Sequence, residues 1–240
     1  MTRPKPTLSS PPPAARPWCS VVIPTLNEEA CLPATLHRLA GADVELIVAD
    51  GGSTDRTVRI ARDHGARVVV SPAGRADQLN AGARVARGRS LLFLHADTLL
   101  PPDFSAYLRA AGADLPACFR LRFGGDHRSP LLSFYGYCTR FDVPAFRFGD
   151  QGLWVTREDF DAVGGYPAGY RLLEDNAMVR RLRRHRGGFR VLPVAVATSP
   201  RKYLKHGTAY TQLVYAVLYV LFRLGAGQGR LVRLYRRLLQ

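Results

Sequence analysis

Short apolar runs alternate along the first half of this chain with stretches whose apolar residues recur every three or four positions. Residues 19–26 (CSVVIPTL), 44–49 (VELIVA), 66–71 (ARVVVS) and 90–95 (SLLFLH) read as strands. They are too apolar for one-sided surface strands and suit a sheet covered on both faces. The intervening segments read as helices. Residues 27–40 place Leu32, Leu36 and Leu39 at helical spacing, while helices at 54–64 and 74–87 are closed by Gly65 and Gly88. Ser53 or Thr54 is expected to cap the second of these. Three strand–helix units in succession predict a parallel, doubly wound α/β sheet with right-handed crossovers.

Beyond Pro102 the alternation loosens into an α+β half. Helices are predicted at 103–111, 129–141, 157–163 and 173–186, with strands at 117–123, 152–155 and 189–197. Residues 1–18 are Pro-rich and lack the apolar core of a signal peptide, so they are expected to form a disordered lead-in. Residues 19–200 form the predicted domain, and 201–240 a basic, apolar helical tail. Within the tail, 213–222 (LVYAVLYVLF) is a continuous apolar run. As a helix it covers only about 15 Å, half a bilayer core, so it is not expected to span one. Either it lies in a membrane interface, with tyrosines and arginines at head-group depth, or it packs on the domain or a second subunit.

Three of the predicted strands end in polar residues: Pro24, Thr25, Asn27 and Glu28 after the first, Asp50 after the second, His95 and Asp97 after the fourth. Ligands of doubly wound sheets bind at these carboxyl ends. Each residue alone has an ordinary alternative, as a helix cap or turn former, but three loops converging on one edge argue a site. The turn after the first strand, PTLNEE, has no glycine, and no GxxxxGK[ST] occurs. Dinucleotide and P-loop chemistries are therefore disfavoured. Carboxylates repel phosphates unless a divalent cation bridges them, so a metal–diphosphate ligand is the natural solution.

Charge adds one feature. The chain of 240 residues carries a net +15, yet residues 171–240 hold 15 basic and only two acidic side chains. Such a basic end attracts nucleotide phosphates or an anionic membrane surface. Nucleic acid is disfavoured as a partner, since the strand-end acids would oppose it. The four cysteines are scattered, with no CxxC or zinc-like spacing, as in a reducing cytoplasm.

The segments VVIPTLNEE, ELIVADGGSTDRT, LLFLHADT and LLEDNAMVRRLRR, in this order, resemble the successive motifs of the family 2 glycosyltransferases, which have the Rossmann-like GT-A fold. The resemblance covers residues from about 19 to about 200. GRADQLNAGA, FLHADT, FGDQG and TSPRK further resemble a bacterial subfamily associated with arsenosugar biosynthesis. The resemblance implies an inverting transfer of a sugar from a nucleotide-diphosphate donor, UDP-linked, to an acceptor hydroxyl. It implies that Pro24, Thr25, Asn27 and Glu28 line the nucleotide pocket, that Asp50 accepts a hydrogen bond from the base, and that Arg75, Gln78 and Asn80 approach nucleotide and sugar. Asp97 would hold Mg²⁺ or Mn²⁺ on the diphosphate. The motif departs from the family at His95, where a carboxylate is usual. His95 either ligates a softer ion such as Mn²⁺ or hydrogen-bonds the ribose or a backbone carbonyl. Asp175 would be the catalytic base, with Glu174 sharing the task or orienting the acceptor; spacing alone reads this pair equally as acidic capping of a basic helix. The helix N-terminus is expected to keep Asp175 ionised. Arg201, with Lys202, either folds over the diphosphate or forms a solvated basic turn. Asp150 and Gln151 are the acceptor-side candidates. The competing functions are an inactive nucleotide-sugar binder and a basic protein that binds anionic surfaces. The expected location is cytoplasmic, with peripheral contact at the inner membrane face.

Overall fold

The computed structural model describes residues 16–125 and 129–239, so most of the expected lead-in lies outside the described residues. Residues 17 and 18 already belong to the domain, because Arg89 and Ser90 donate backbone hydrogen bonds to the carbonyls of Pro17 and Trp18.

The first half follows the apolar pattern. Strand β1 (Cys19–Thr25) is buried along its whole length and pairs in parallel with β2 (Glu45–Asp50) and with β4 (Ser90–Phe93). Strand β3 (Arg67–Val70) adds to β2, again parallel. Helices α1 (Leu32–Leu39), α2 (Thr57–Asp63) and α3 (Arg75–Val85) make the crossovers. The two faces of the sheet carry separate apolar clusters. One holds Val21, Ile23, Leu36 and Val48; the other holds Val22, Ile47, Leu79 and Leu91. Burial on both sides explains why β1 and β4 read as continuous apolar runs, whereas β3, at the sheet edge, is apolar but largely uncovered.

The second half completes a mixed eight-stranded sheet in the order β3-β2-β1-β4-β7-β6-β8-β5. Strand β5 (Thr98–Leu99) is followed by helix α4 (Phe104–Ala111), strand β6 (Ala117–Phe123) and helix α5 (Pro130–Cys138). Strand β7 (Leu153–Thr156) runs antiparallel to both β4 and β6, while β8 (Arg190–Thr198), reached through α6 (Arg157–Ala162) and α7 (Glu174–Arg186), lies parallel to β6. The fold is thus the mostly parallel GT-A architecture, with its strand-end edge intact.

Two predicted helices start late, for one shared reason. Helix α1 begins at Leu32 rather than 27, and α2 at Thr57 rather than 54. Asn27 takes a left-handed φ of 55°. Its amide N–H donates to Ser53 Oγ and its side chain accepts from Thr54 N. Glu29 N donates to Asp55 Oδ2. Polar groups expected to cap their own helices instead stitch the β1 and β2 loops together.

The last forty residues form helices α8 (Arg201–His206), α9 (Thr208–Arg223) and α10 (Gln228–Leu239). Val214, Leu218 and Phe222 of α9 and Leu231 of α10 form a third apolar cluster, against which Tyr170, Leu172, Leu173 and Ala177 pack. One face of the tail therefore covers the start of α7. Among the described residues no helix is long and apolar enough to cross a membrane.

Candidate active site

Beyond the carboxyl ends of β1, β2 and β4, the loops meet the N-terminus of α7 and the turn before β7. The first question at this edge is which side chains are free to act, and many of the expected ones are not. Asp50 is buried, and its carboxylate accepts from Thr25 Oγ1 and Ser53 Oγ on one oxygen and from Gly52 N and Ser53 N on the other. A carboxylate has about four acceptor positions, and all are filled. Asp50 here fastens the turn, and Thr25, also buried, is spent on it. Pro24 lies within β1, opposite Ala49, and is buried.

Three more of the expected residues already hold partners within the protein. Gln78 does not face open space: its amide donates to the carbonyls of Thr25 (2.6 Å) and Ala49 (2.9 Å), stapling the ends of β1 and β2. Asn80 pairs in both directions with the backbone of Tyr166, donating to its carbonyl and accepting from its N–H, each at 2.9 Å. Gln151, placed on the acceptor side by the sequence, is fully buried; it accepts from Arg147 Nη1 (2.7 Å) and donates to Phe146 O (2.6 Å). Each satisfies buried polar groups that would otherwise be costly.

The groups that remain form a charged cluster. Asp175, in the first turn of α7, is buried beside Glu174, which pairs with Arg75 at 3.4 Å. Burial, then the adjacent Glu174, push the Asp175 carboxyl upward. Desolvation and a like charge here oppose the helix-terminus effect of about 0.3–1 kcal/mol that favours the ionised form. The Tyr166 hydroxyl lies next to Asp175, buried without a well-formed hydrogen bond. Gly149 borders the same pocket. A Cβ there would lie 2.5 Å from His95 Nε2 and closer still to Asp175 Oδ2, so only glycine admits these two side chains. His95 Nε2 is itself buried and unpartnered, and burial, aided by Arg75, Lys202 and Arg201, holds the imidazole well below its usual range and therefore neutral. Asp150 follows in the same turn. Burial, then the charge of Asp97, push its carboxyl up to about 7, and its Oδ1 has no partner.

On the other side Arg201 spans two acids, Glu28 at 2.9 Å and Asp97 at 3.3 Å. Lys202 follows, its ammonium donating to Tyr235 Oη of α10 at 2.9 Å. Burial, opposed by Arg201 and reinforced by Glu28, raises the Asp97 carboxyl. Among the described residues no three His, Cys, Asp or Glu side chains converge on a metal position. That donor set fits a cation held chiefly by a diphosphate, with Asp97 as the protein's carboxylate, since Mg²⁺ commonly takes one or two carboxylates plus substrate phosphates. His95 is aimed at Gly149 and Asp175.

Sequence reasoning missed Tyr166, Tyr235 and Arg147, and it saw Gly149 only as part of the FGDQG segment. Arg147 is fully buried and ties Gln151 Oε1 and Cys118 Sγ to the carbonyls of Thr139 and Phe141, with Asn176 of α7 donating to its own carbonyl. A lone arginine in an aromatic loop gives no sequence signal of such a role.

The model of glycosyl transferase family 2 matches residues 20–134. The PGL/p-HBAD biosynthesis glycosyltransferase of Mycobacterium bovis is 33% identical over 185 residues, 67% of this chain and 68% of that one. The chain belongs to glycosyl transferase family 2. It is an enzyme of the glycosyltransferase class. In the solved structures, the mannosyltransferase PcManGT of Pyrobaculum calidifontis, in complex with GDP-Man and Mn²⁺, shares the fold with a TM-score of 0.66 at 21% identity, covering 91% of this chain and 68% of that chain. Glucosyl-3-phosphoglycerate synthase of Mycobacterium tuberculosis, in complex with Mn²⁺, UDP and phosphoglyceric acid, matches with a TM-score of 0.59 at 25% identity over 89% of this chain and 80% of that chain. None of these glycosyltransferases points to the arsenosugar-associated subfamily.

Proposed function

We propose that the protein transfers a sugar from a UDP-linked donor to an acceptor hydroxyl with inversion at the anomeric carbon. The observation that carries this reading is Asp175: a buried carboxylate with raised proton affinity, at the strand-end edge, beside the Arg75–Glu174 pair. Such a group is a stronger base than an ordinary carboxylate and works closer to neutral pH. Asp175 takes the proton of the acceptor hydroxyl as that oxygen bonds to the anomeric carbon. The bond from this carbon to the diphosphate oxygen breaks on the opposite face, and UDP leaves with both electrons. Arg75, Arg201 and Lys202 are the cations nearest to meet its charge. Mg²⁺ or Mn²⁺ held by Asp97 would supply further neutralisation of the diphosphate. Glu174 orients Arg75, and Asp150 stands on the acceptor side, next to the Gly149 turn. The Thr25–Asp50 turn forms the wall beside which the base would stack. Because Asp50 has no free acceptor position, reading a base N–H requires Ser53 Oγ to give up its bond.

The test couples binding to turnover. UDP with Mn²⁺ should raise the melting temperature of the wild type and of Asp175→Asn alike, by linkage. Release of UDP from UDP-sugars should fall by about 10²-fold or more in the variant. Asp175→Asn turning over within about tenfold of the wild type removes it as the base. Failure of every nucleoside diphosphate to stabilise the protein removes the donor reading altogether.

A further inference from the structure

The outer surface of the tail carries an unexplained stripe. On α9, Leu213, Val217, Val220 and Leu224 recur at helical spacing on the side opposite the buried Val214, Leu218 and Phe222, and are 63%, 41%, 54% and 78% exposed. Eleven of the fourteen large hydrophobics exposed among the described residues lie within 131–143 and 204–224. Helix α5, whose Phe134 is 62% exposed, starts beside α9, with Ser129 Oγ 3.2 Å from Thr208 Oγ1. Concentration of this kind marks an interaction surface, whereas scattered exposed leucines do not.

Charge decides what covers it. Residues 201–240 contain eight Lys or Arg and no acid. Leu231 and Leu239 of α10 are buried in the tail cluster, while Arg230, Arg233, Arg236 and Arg237 are exposed on its outward side. A second copy of the chain would bring two such basic surfaces together, which like-charge repulsion opposes. An anionic bilayer satisfies both features at once: acyl chains take the apolar stripe and head groups take the arginines. At 1.5 Å per residue α9 is about 24 Å long, so it lies in the interface plane. We propose that the exposed face of α9, flanked by the arginines of α10, docks the protein on the surface of an anionic lipid bilayer. The proposal is independent of the reaction assigned to the strand-end site.

Flotation of the full chain with vesicles tests it. Vesicles of phosphatidylcholine containing about 30% phosphatidylglycerol should carry the protein, and pure phosphatidylcholine should carry at least about tenfold less. Raising salt from about 0.1 to 0.5 M should release much of it, as screening shortens. V217E/V220E and R233E/R237E should each weaken binding about tenfold or more, while both variants keep the circular-dichroism spectrum and cooperative melting of the wild type, showing them folded. Three results overturn the proposal: no binding of the wild type to anionic vesicles, equal binding to neutral ones, or binding unchanged in both variants. Sedimentation showing a dimer that V217E/V220E dissociates, without lipid binding, assigns the face to a second copy instead.

Discussion

Replacing Asp150 by asparagine isolates the cost of keeping a carboxyl group in this pocket. Burial and the charge of Asp97 push it up to about 7, against about 3.9 for an aspartate in an unfolded chain. At about 1.4 kcal/mol per pKa unit, the full difference is worth about 4 kcal/mol. The side chain keeps partial contact with solvent, which screens the effect to about 1–2 kcal/mol. A carboxyl whose folded pKa is raised supports folding below its unfolded pKa, and that support is lost as pH rises through the folded value. Asp150→Asn is therefore close to neutral near pH 4 and stabilising above pH 7, by about 2–6 °C in melting temperature. Circular-dichroism melts of both proteins across that range, with chelator and no nucleotide, read the gap directly. A gap that fails to widen with pH, or a variant less stable than the wild type at pH 8, refutes the reasoning.

Two further substitutions separate holding from acting. Gln78→Ala leaves the carbonyls of Thr25 and Ala49 without their side-chain donor and should lower stability by about 1–3 kcal/mol in chemical denaturation; a donor KM raised about tenfold at unchanged stability would show that Gln78 touches nucleotide instead. Gly149→Ala forces a methyl against His95 and Asp175 and should lower kcat by about 10²-fold, with stabilisation by UDP and Mn²⁺ retained; full activity would show that the turn has room to spare.

Strands β1, β2 and β4 were legible because burial on both faces leaves an apolar signature, as VELIVA shows; β3 was legible from its β-branched run although it lies at the exposed edge. Helix starts were less so: Asn27, Ser53 and Thr54 have the chemistry of caps, and only the folded loops reveal that each serves a neighbouring loop. The same limit applies within the site. Gln78, Asn80 and Gln151 look like ligand-facing amides in sequence, but backbone carbonyls and a buried arginine, invisible there, claim them first. Asp175 was proposed from its motif, yet its proton affinity depends on desolvation, which a sequence showing only a helix start does not reveal. Gly149 lay in the FGDQG segment without any sign of its steric role, and Tyr235 carried no local pattern. One matters for the space it leaves and the other for reaching Lys202 from a distant helix.

The uneven charge along the chain has a consequence for assembly. After Asp175 there is no further acid, so no cation in the last quarter can find an ionic partner within it. Arg183 turns to Asp142, Arg186 to Asp159, Arg190 to Asp114, and Arg201 reaches Glu28 across 173 positions. On the ribosome every such acid emerges before the arginine that needs it. The early sheet is thus made with its docking charges already in place, and the late segment arrives unable to neutralise itself until it finds them. Vectorial synthesis and the electrostatic address of each arginine run in the same direction.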